Sequence, residues 1–114
     1  MEIKTREERF EFIYIKFKNH VLSSRCSVSS TWERLAEFVA LHMGKDAVPV
    51  KSMINRWRKG GGMDAGDALA FADICGVDFR WLITGEGEPG SKPFRSLPGE
   101  WKNGRGSSNG ERLK

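Results

Sequence analysis

The side chains best suited to chemistry crowd into one short stretch, Asp46-Ala-Val-Pro-Val-Lys-Ser-Met-Ile-Asn-Arg-Trp-Arg-Lys-Gly60. Lys51, Ser52 and Asn55 bring an ammonium, a hydroxyl and a carboxamide. Arg56, Arg58 and Lys59 follow them, and Lys45 stands just before. These groups hydrogen-bond phosphate oxygens and the edges of bases. Asn pairs with adenine through two bonds, Lys donates to guanine acceptors, and Ser serves several bases. The expectation is that Lys51, Ser52 and Asn55 read bases, and that Arg56, Arg58, Lys59 and Lys45 bind phosphates. A solvated face on an ordinary surface helix would look much the same over this stretch alone.

No other constellation points to chemistry. No nucleophile–base pair is visible, so no catalytic residue and no enzyme are expected. Glu33 with Glu37, and Asp64 with Asp67, read as helix caps and solvated carboxylates rather than acid–base pairs. His20 and His42 read as surface groups. Cys26 and Cys75 form no C-x-x-C and share no zinc spacing with the histidines, so they read as thiols, Cys75 in the core, and no metal is expected. Gly60-Gly-Gly62 lacks the preceding strand and the Gly-Lys-Ser/Thr ending of a phosphate loop, and Gly85-Glu-Gly87 reads as a turn. No cofactor is expected.

The basic groups need a rigid carrier, and the apolar residues between them supply it. Pro49 suits the first turn of a helix, where its missing N–H is not needed. Val50, Met53, Ile54 and Trp57 recur at i, i+3, i+4 and i+7, one buried helical stripe. The polar groups lie off that stripe, and Gly60, Gly61 and Gly62 end the helix. Upstream, Thr5-x-x-Glu8 and Ser30-x-x-Glu33 have the spacing of capping boxes. Phe10, Ile13 and Phe17 mark a helix running to about His20. Phe12 and Ile15 widen its apolar face and offer a subunit contact. After a polar loop, Trp32, Leu35, Ala36, Val39 and Met43 mark a second helix, with Phe38 and Leu41 near its edges, stopped by Gly44. Downstream, Asp64 and Asp67 begin a helix with a narrow face of Ala65, Ala68, Leu69, Ala72 and Cys75, extended by Phe71 and Ile74 and stopped by Gly76. Asp78 caps a last short helix holding Phe79, Trp81, Leu82 and Ile83, and Gly85 ends it. Trp57 and Trp81 read as core anchors. No segment alternates strongly with period two. The fold class is therefore all-α, a compact bundle of about five helices between residues 5 and 84.

The 114 residues have room for one domain, placed at 1–89. From 90 to 114 Gly, Ser, Pro, Asn and basic residues dominate, with Phe94, Leu97 and Trp101 isolated among them. That segment reads as a flexible basic tail with too little apolar surface to offset its chain entropy. The formal charge of +4 is unevenly placed. Residues 45–60 hold five Lys/Arg against one Asp, or +4, whereas residues 61–89 hold one against six, or −5. Positive charge concentrated on one helix and on the tail suits a polyanion. No apolar run approaches the roughly 18 residues of a membrane span. The opening Met1-Glu-Ile-Lys-Thr-Arg lacks the order of a signal peptide, so a cytoplasmic protein is expected.

Taken in order, Asn55-Arg-Trp57, then Ala68-Leu69 to Ala72, then Trp81-Leu-Ile-Thr-Gly-Glu-Gly87 resemble the DNA-binding domain of phage immunity repressors, the lambda-repressor-like (XRE-type) helix-turn-helix superfamily. The likeness covers roughly residues 31–89, and the Trp81–Gly87 run is its most specific part. It implies that helices 30–44 and 46–60 form a helix-turn-helix whose second member lies in the major groove of double-stranded DNA. It further implies a sequence-specific transcriptional regulator, a phage or prophage repressor, acting as a homodimer on two half-sites about one DNA turn apart. The connection 44–49 is longer than the family's usual turn. So are the first helix and the loop to residue 30. The alternative is a protein-binding adaptor or antirepressor on the same scaffold.

Overall fold

The caps and stripes of the sequence become five helices in the computed structural model, which describes residues 5–101. They are α1 (Arg6–Ser23), α2 (Trp32–Met43), α3 (Ala47–Arg58), α4 (Ala65–Cys75) and α5 (Phe79–Thr84), followed by a single 3-10 turn at Gly99–Trp101. No strand occurs among the described residues, so the fold is all-α.

Each helix start has a local cause. The Thr5 hydroxyl accepts the Glu8 N–H at 3.1 Å, and Glu8 Oε1 accepts the Thr5 N–H at 2.9 Å, which completes the first capping box. Asp64 and Asp78 accept the N–H groups of Asp67 and Trp81, at 3.1 and 3.0 Å. The second expected box is displaced by one residue. Thr31, not Ser30, caps α2 by accepting the Arg34 N–H at 3.0 Å. Ser30 instead offers its carbonyl to the Tyr14 hydroxyl at 2.7 Å. Asp46 stands at the cap of α3 without a side-chain cap bond.

The core gathers Phe10, Phe17, Leu35, Phe38, Ile54, Trp57, Phe71 and Leu82, all fully buried. Each such side chain contributes roughly 1.5–3 kcal/mol relative to exposure. Trp57 meets Phe71 edge-on at 5.6 Å, so the expected stripe of α3 docks on α4. Phe12 also packs edge-on against Trp81 at 5.3 Å, and this accounts for the second apolar side of α1. Leu69, expected on the packed face of α4, is instead exposed.

Helix α1 does more than fill the core. Arg6 Nη1 donates to the carbonyls of Trp57, in the last turn of α3, and Gly61, just beyond it, at 3.1 and 2.9 Å. Arg9 Nε donates to Leu82 O of α5 at 3.1 Å. Lys16 Nζ donates to Cys75 O, the end of α4, at 2.7 Å. The last carbonyls of a helix lack partners within it and carry its negative pole. One helix thus sends a cation to the C-terminus of three others. Burial lowers the pKa of both Arg9 and Lys16, with the Arg6 charge adding to the effect at Arg9.

The reading of residues 90–101 as tail needs correction. Phe94 and Leu97 are buried, and Trp101 packs partly on the core. Phe94 sits 5.8 Å from both Phe17 and Phe38. The backbone is tied down as well: the Arg95 N–H donates to Ile74 O, the Ser27 N–H donates to Trp101 O, each at 3.0 Å, and Lys16 Nζ reaches Lys92 O at 2.6 Å. Arg95 pairs with Asp73. His20 and His42 approach the carbonyls of Arg95 and Ser96, at 3.0 and 3.2 Å, so neither is an idle surface group. Three apolar residues are enough here because they fall into a groove already lined with aromatic rings. Residues 102–114, the remainder of the expected tail, lie outside the described residues.

This strap depends on Gly76. The residue has φ +69°, and a Cβ there would stand 2.2 Å from Lys92 O and 2.5 Å from Pro93 O. Gly76→Ala is expected to lower the unfolding free energy by about 1–3 kcal/mol. At Gly62 a Cβ would meet nothing within 4 Å, so Gly62→Ala should stay within about 0.5 kcal/mol of the parent. Urea unfolding of the two variants checks this. Equal stabilities would refute the close approach.

Candidate nucleic-acid interface

Helix α3 is fixed along its length by Val50, Met53, Ile54 and Trp57, all buried. Its end is closed by glycine: the Gly61 N–H donates to Arg56 O at 2.8 Å and the Gly60 N–H to Trp57 O at 3.0 Å. With Gly60 at φ +94°, this is the double bond pattern of a left-handed helix stop. Every charged side chain from Ala47 to Lys59 is a cation.

The structure sorts the expected contact residues into two lines. Ser52, Arg56 and Lys59 are exposed and follow Val48 along the outer side of the helix. Lys51, Asn55 and Arg58 are half-buried on the flank toward α2. Lys51 Nζ lies 3.0 Å from Glu33 Oε2 at the start of α2. Arg58 Nη1 donates to Asn55 Oδ1 at 3.1 Å, and its guanidinium carbon sits 3.9 Å from the centroid of the Trp32 ring. Lys45, in the turn 44–46, pairs with Asp67 of α4 at 2.9 Å. Two of the seven expected residues, Lys45 and Lys51, are therefore already neutralised by carboxylates.

The contacts of Trp32 with Arg58, and of Glu33 with Lys51, join the first residues of α2 to the middle and end of α3. The flank thus includes the start of α2, where Trp32 also stacks on Tyr14 at 4.5 Å with the planes 13° apart. Tyr14 and Arg58 thus both lie against the indole. Lys18 sits 5.5 Å over the Tyr14 ring. At the same C-terminal end of α3, a shallow depression of about 420 Å³ is lined by Thr5, Arg6, Glu7, Arg58, Lys59 and Gly60. Three cations and the Glu7 carboxylate border it, and Arg6 is already engaged with Trp57 O and Gly61 O.

Sequence reasoning missed Tyr14, Trp32 and Glu33 as parts of this surface. Trp32 matched the core stripe of its own helix and Glu33 matched a cap. Their partners lie 18–26 positions away on another helix, where no spacing rule operates. A second cleft, about 430 Å³, lies between the end of α4 and residues 90–92 and involves no residue of α3. Among the described residues no group of His, Cys, Asp and Glu could hold a metal ion, and no helix is long and apolar enough to cross a membrane. No protein-family model, curated protein or solved structure matches the chain.

Glu33 reports on the flank. The hydrogen bond from Lys51, then one from its own backbone, then the Lys51 charge hold its carboxyl below the usual glutamate range. A depressed carboxylate stabilises the fold above its unfolded pKa, and that contribution is lost as pH falls through the folded pKa. An NMR titration should place Glu33 below an ordinary glutamate, near 4.3, and Lys51→Met should return it upward. An identical titration in parent and variant would mean that the pair does not form in solution.

Proposed function

We propose that this chain is a sequence-specific double-stranded DNA-binding transcriptional regulator, a repressor of phage or prophage type. In this reading α2 and α3 work as a helix-turn-helix and α3 lies in the major groove. The observation that carries it is the arrangement of α3 itself: a buried apolar stripe fixes the rod, and beyond the exposed Val48 and Pro49 of its first turn the free face carries cations, a hydroxyl and an amide. The resemblance of residues 31–89 to phage repressor domains points the same way. Lys51 and Ser52 face base edges, Arg56, Lys59 and Lys45 lie toward phosphates, and the bonded pair Asn55–Arg58 stands between the two sets. Lys51 and Lys45 then leave Glu33 and Asp67 on binding, which costs little because exposed ion pairs are weak.

A single such domain touches few base pairs, so the proposal includes a homodimer on two half-sites roughly 34 Å apart. With Phe12 packed on Trp81, the exposed apolar residues of α1 are Ile15 and Leu22, one side of the helix at i and i+7. A protein-binding adaptor or antirepressor is the second reading. Val48, 76% exposed on α3, and Leu41, 59% exposed on α2, favour it, because protein interfaces use apolar side chains that DNA does not need.

Selection of binding sites from random duplexes at physiological salt separates the two. The regulator reading predicts an enriched two-fold motif and two protomers per duplex by sedimentation. On that motif, Lys51→Ala should cost about 1–3 kcal/mol and relax preference at one position. Arg56→Ala and Lys59→Ala should weaken all sequences alike, each flattening the salt dependence by about one unit of slope. Failure to enrich any motif, with full binding retained in Lys51→Ala, would turn the assignment to the adaptor.

A further inference from the structure

We infer that Arg58 reads a guanine, positioned for it by Trp32 and Asn55, and that Asn55 is not an adenine reader. The inference rests on α3 being the DNA-contacting helix and assigns the base that its flank takes. Three observations carry it. The guanidinium carbon of Arg58 lies 3.9 Å from the centroid of Trp32, and Trp32 is itself stacked on Tyr14, whose hydroxyl donates to Ser30 O. The Arg58 guanidinium is therefore anchored at two points, the Trp32 ring and Asn55 Oδ1, before any partner arrives. Arginine presents its N–H groups in a rigid fork, and a fork already immobilised loses less freedom on binding.

The second observation is chemical. To pair with adenine through two bonds, an Asn must accept from the N6 amino group and donate to N7. One of the two lone pairs of Asn55 Oδ1 already accepts from Arg58 Nη1 at 3.1 Å, so the amide is turned toward the arginine, and pairing with adenine would require that oxygen to serve both donors. What the pair offers outward is dominated by donors: the Nδ2 hydrogens of Asn55 and the remaining N–H groups of Arg58. Guanine is the base whose major-groove edge shows two neighbouring acceptors, N7 and O6.

The third is that Arg58 is not engaged in an ion pair among the described residues, although Glu7 lines the same depression. Lys51, the neighbouring base-reading candidate, is paired with Glu33. A cation held on an aromatic face and an amide oxygen keeps its charge and its free donors available. Phosphate oxygens also accept from such a fork, and base preference tells the two apart.

The test measures binding of the full chain to the selected site and to duplexes carrying each alternative base pair, for five proteins. The parent should prefer guanine at one position by about tenfold or more. Arg58→Lys, which keeps the charge and can still donate to guanine but lacks the planar fork held on Trp32, should lose most of that preference while preferences elsewhere in the site persist. Trp32→Leu should lose it as well, and Trp32→Phe, which restores a ring face, should recover it. Asn55→Asp keeps the acceptor that orients Arg58 and should retain the guanine preference, whereas a true adenine reader would lose its adenine. Far-UV circular dichroism identifies any variant that has not folded, and the Phe and Asp substitutions then decide. A selected motif whose preferences are all untouched by Arg58→Lys overturns the inference and leaves the DNA reading standing. A uniform loss across every sequence also overturns it and makes Arg58 a phosphate contact. Absence of any duplex binding overturns both.

Discussion

The carbonyl groups at the ends of α3, α4 and α5 impose the constraint on which this architecture depends. Each helix ends inside the domain, where its last oxygens have no successor to bond. Water would satisfy them at the surface, but Trp57, Cys75 and Leu82 are buried. Arg6, Arg9 and Lys16 resolve this from a single helix. Their positions, separated by three and seven residues, lie near one side of α1. The same helix inserts Phe10, Ile13 and Phe17 between them. Apolar burial and helix-end satisfaction therefore share one surface. Removing Arg9 or Lys16 would take the side-chain donor from a carbonyl of a buried residue, a loss that a better-packed side chain would not repair, whereas Trp57 O would keep the Gly60 N–H.

That constraint bears on α3 most directly. Arg6 and the Gly60–Gly61 stop hold one end, and the stripe from Val50 to Trp57 holds the side. The polar face then has a defined direction. Around it the molecule partitions its charges: Lys45 and Lys51 are matched by Asp67 and Glu33, Arg58 lies on Trp32, and Arg56 and Lys59 project outward. The outward pair supplies attraction that depends on salt, while the matched pairs must exchange one partner for another. Exchange of partners discriminates among ligands better than simple attraction, because a poorly fitting ligand does not compensate the bond that is given up.

Much of the fold was legible because its signals are local. Thr5 with Glu8, Asp64 with Asp67, and the glycines at 44, 76 and 85 act over a few residues, and the stripes act over a few turns. Thr31 displaced Ser30 as a cap because both residues are competent and only the path of the chain past Tyr14 distinguishes them. Leu69 turned outward because an alanine-rich helix such as α4 can pack by either side of its narrow face. Phe94, Leu97 and Trp101 carried no period at all. Their burial was decided by the groove between Phe17, Phe38 and α4, which exists only after the helices assemble. At the candidate site the residue types and the helix were legible, and the pairings were not. Glu33–Lys51 and Trp32–Arg58 depend on how far α2 and α3 close toward each other, a quantity without a local code.

The strap formed by residues 92–101 also has a consequence for the order of events in folding. It closes on α1 across more than seventy intervening residues, as Lys16 with Lys92 and His20 with Arg95 illustrate. Contacts of such separation form late, because the loop between them must first be brought to order. During synthesis the aromatic groove of Phe17 and Phe38 stays uncovered until the chain has emerged past Phe94. A fragment cut at Pro89, where composition places the boundary, would keep that groove open permanently. Its exposed rings would then be free to find the same surface on a second fragment, so association of the shortened domain would report the missing strap rather than a native interface.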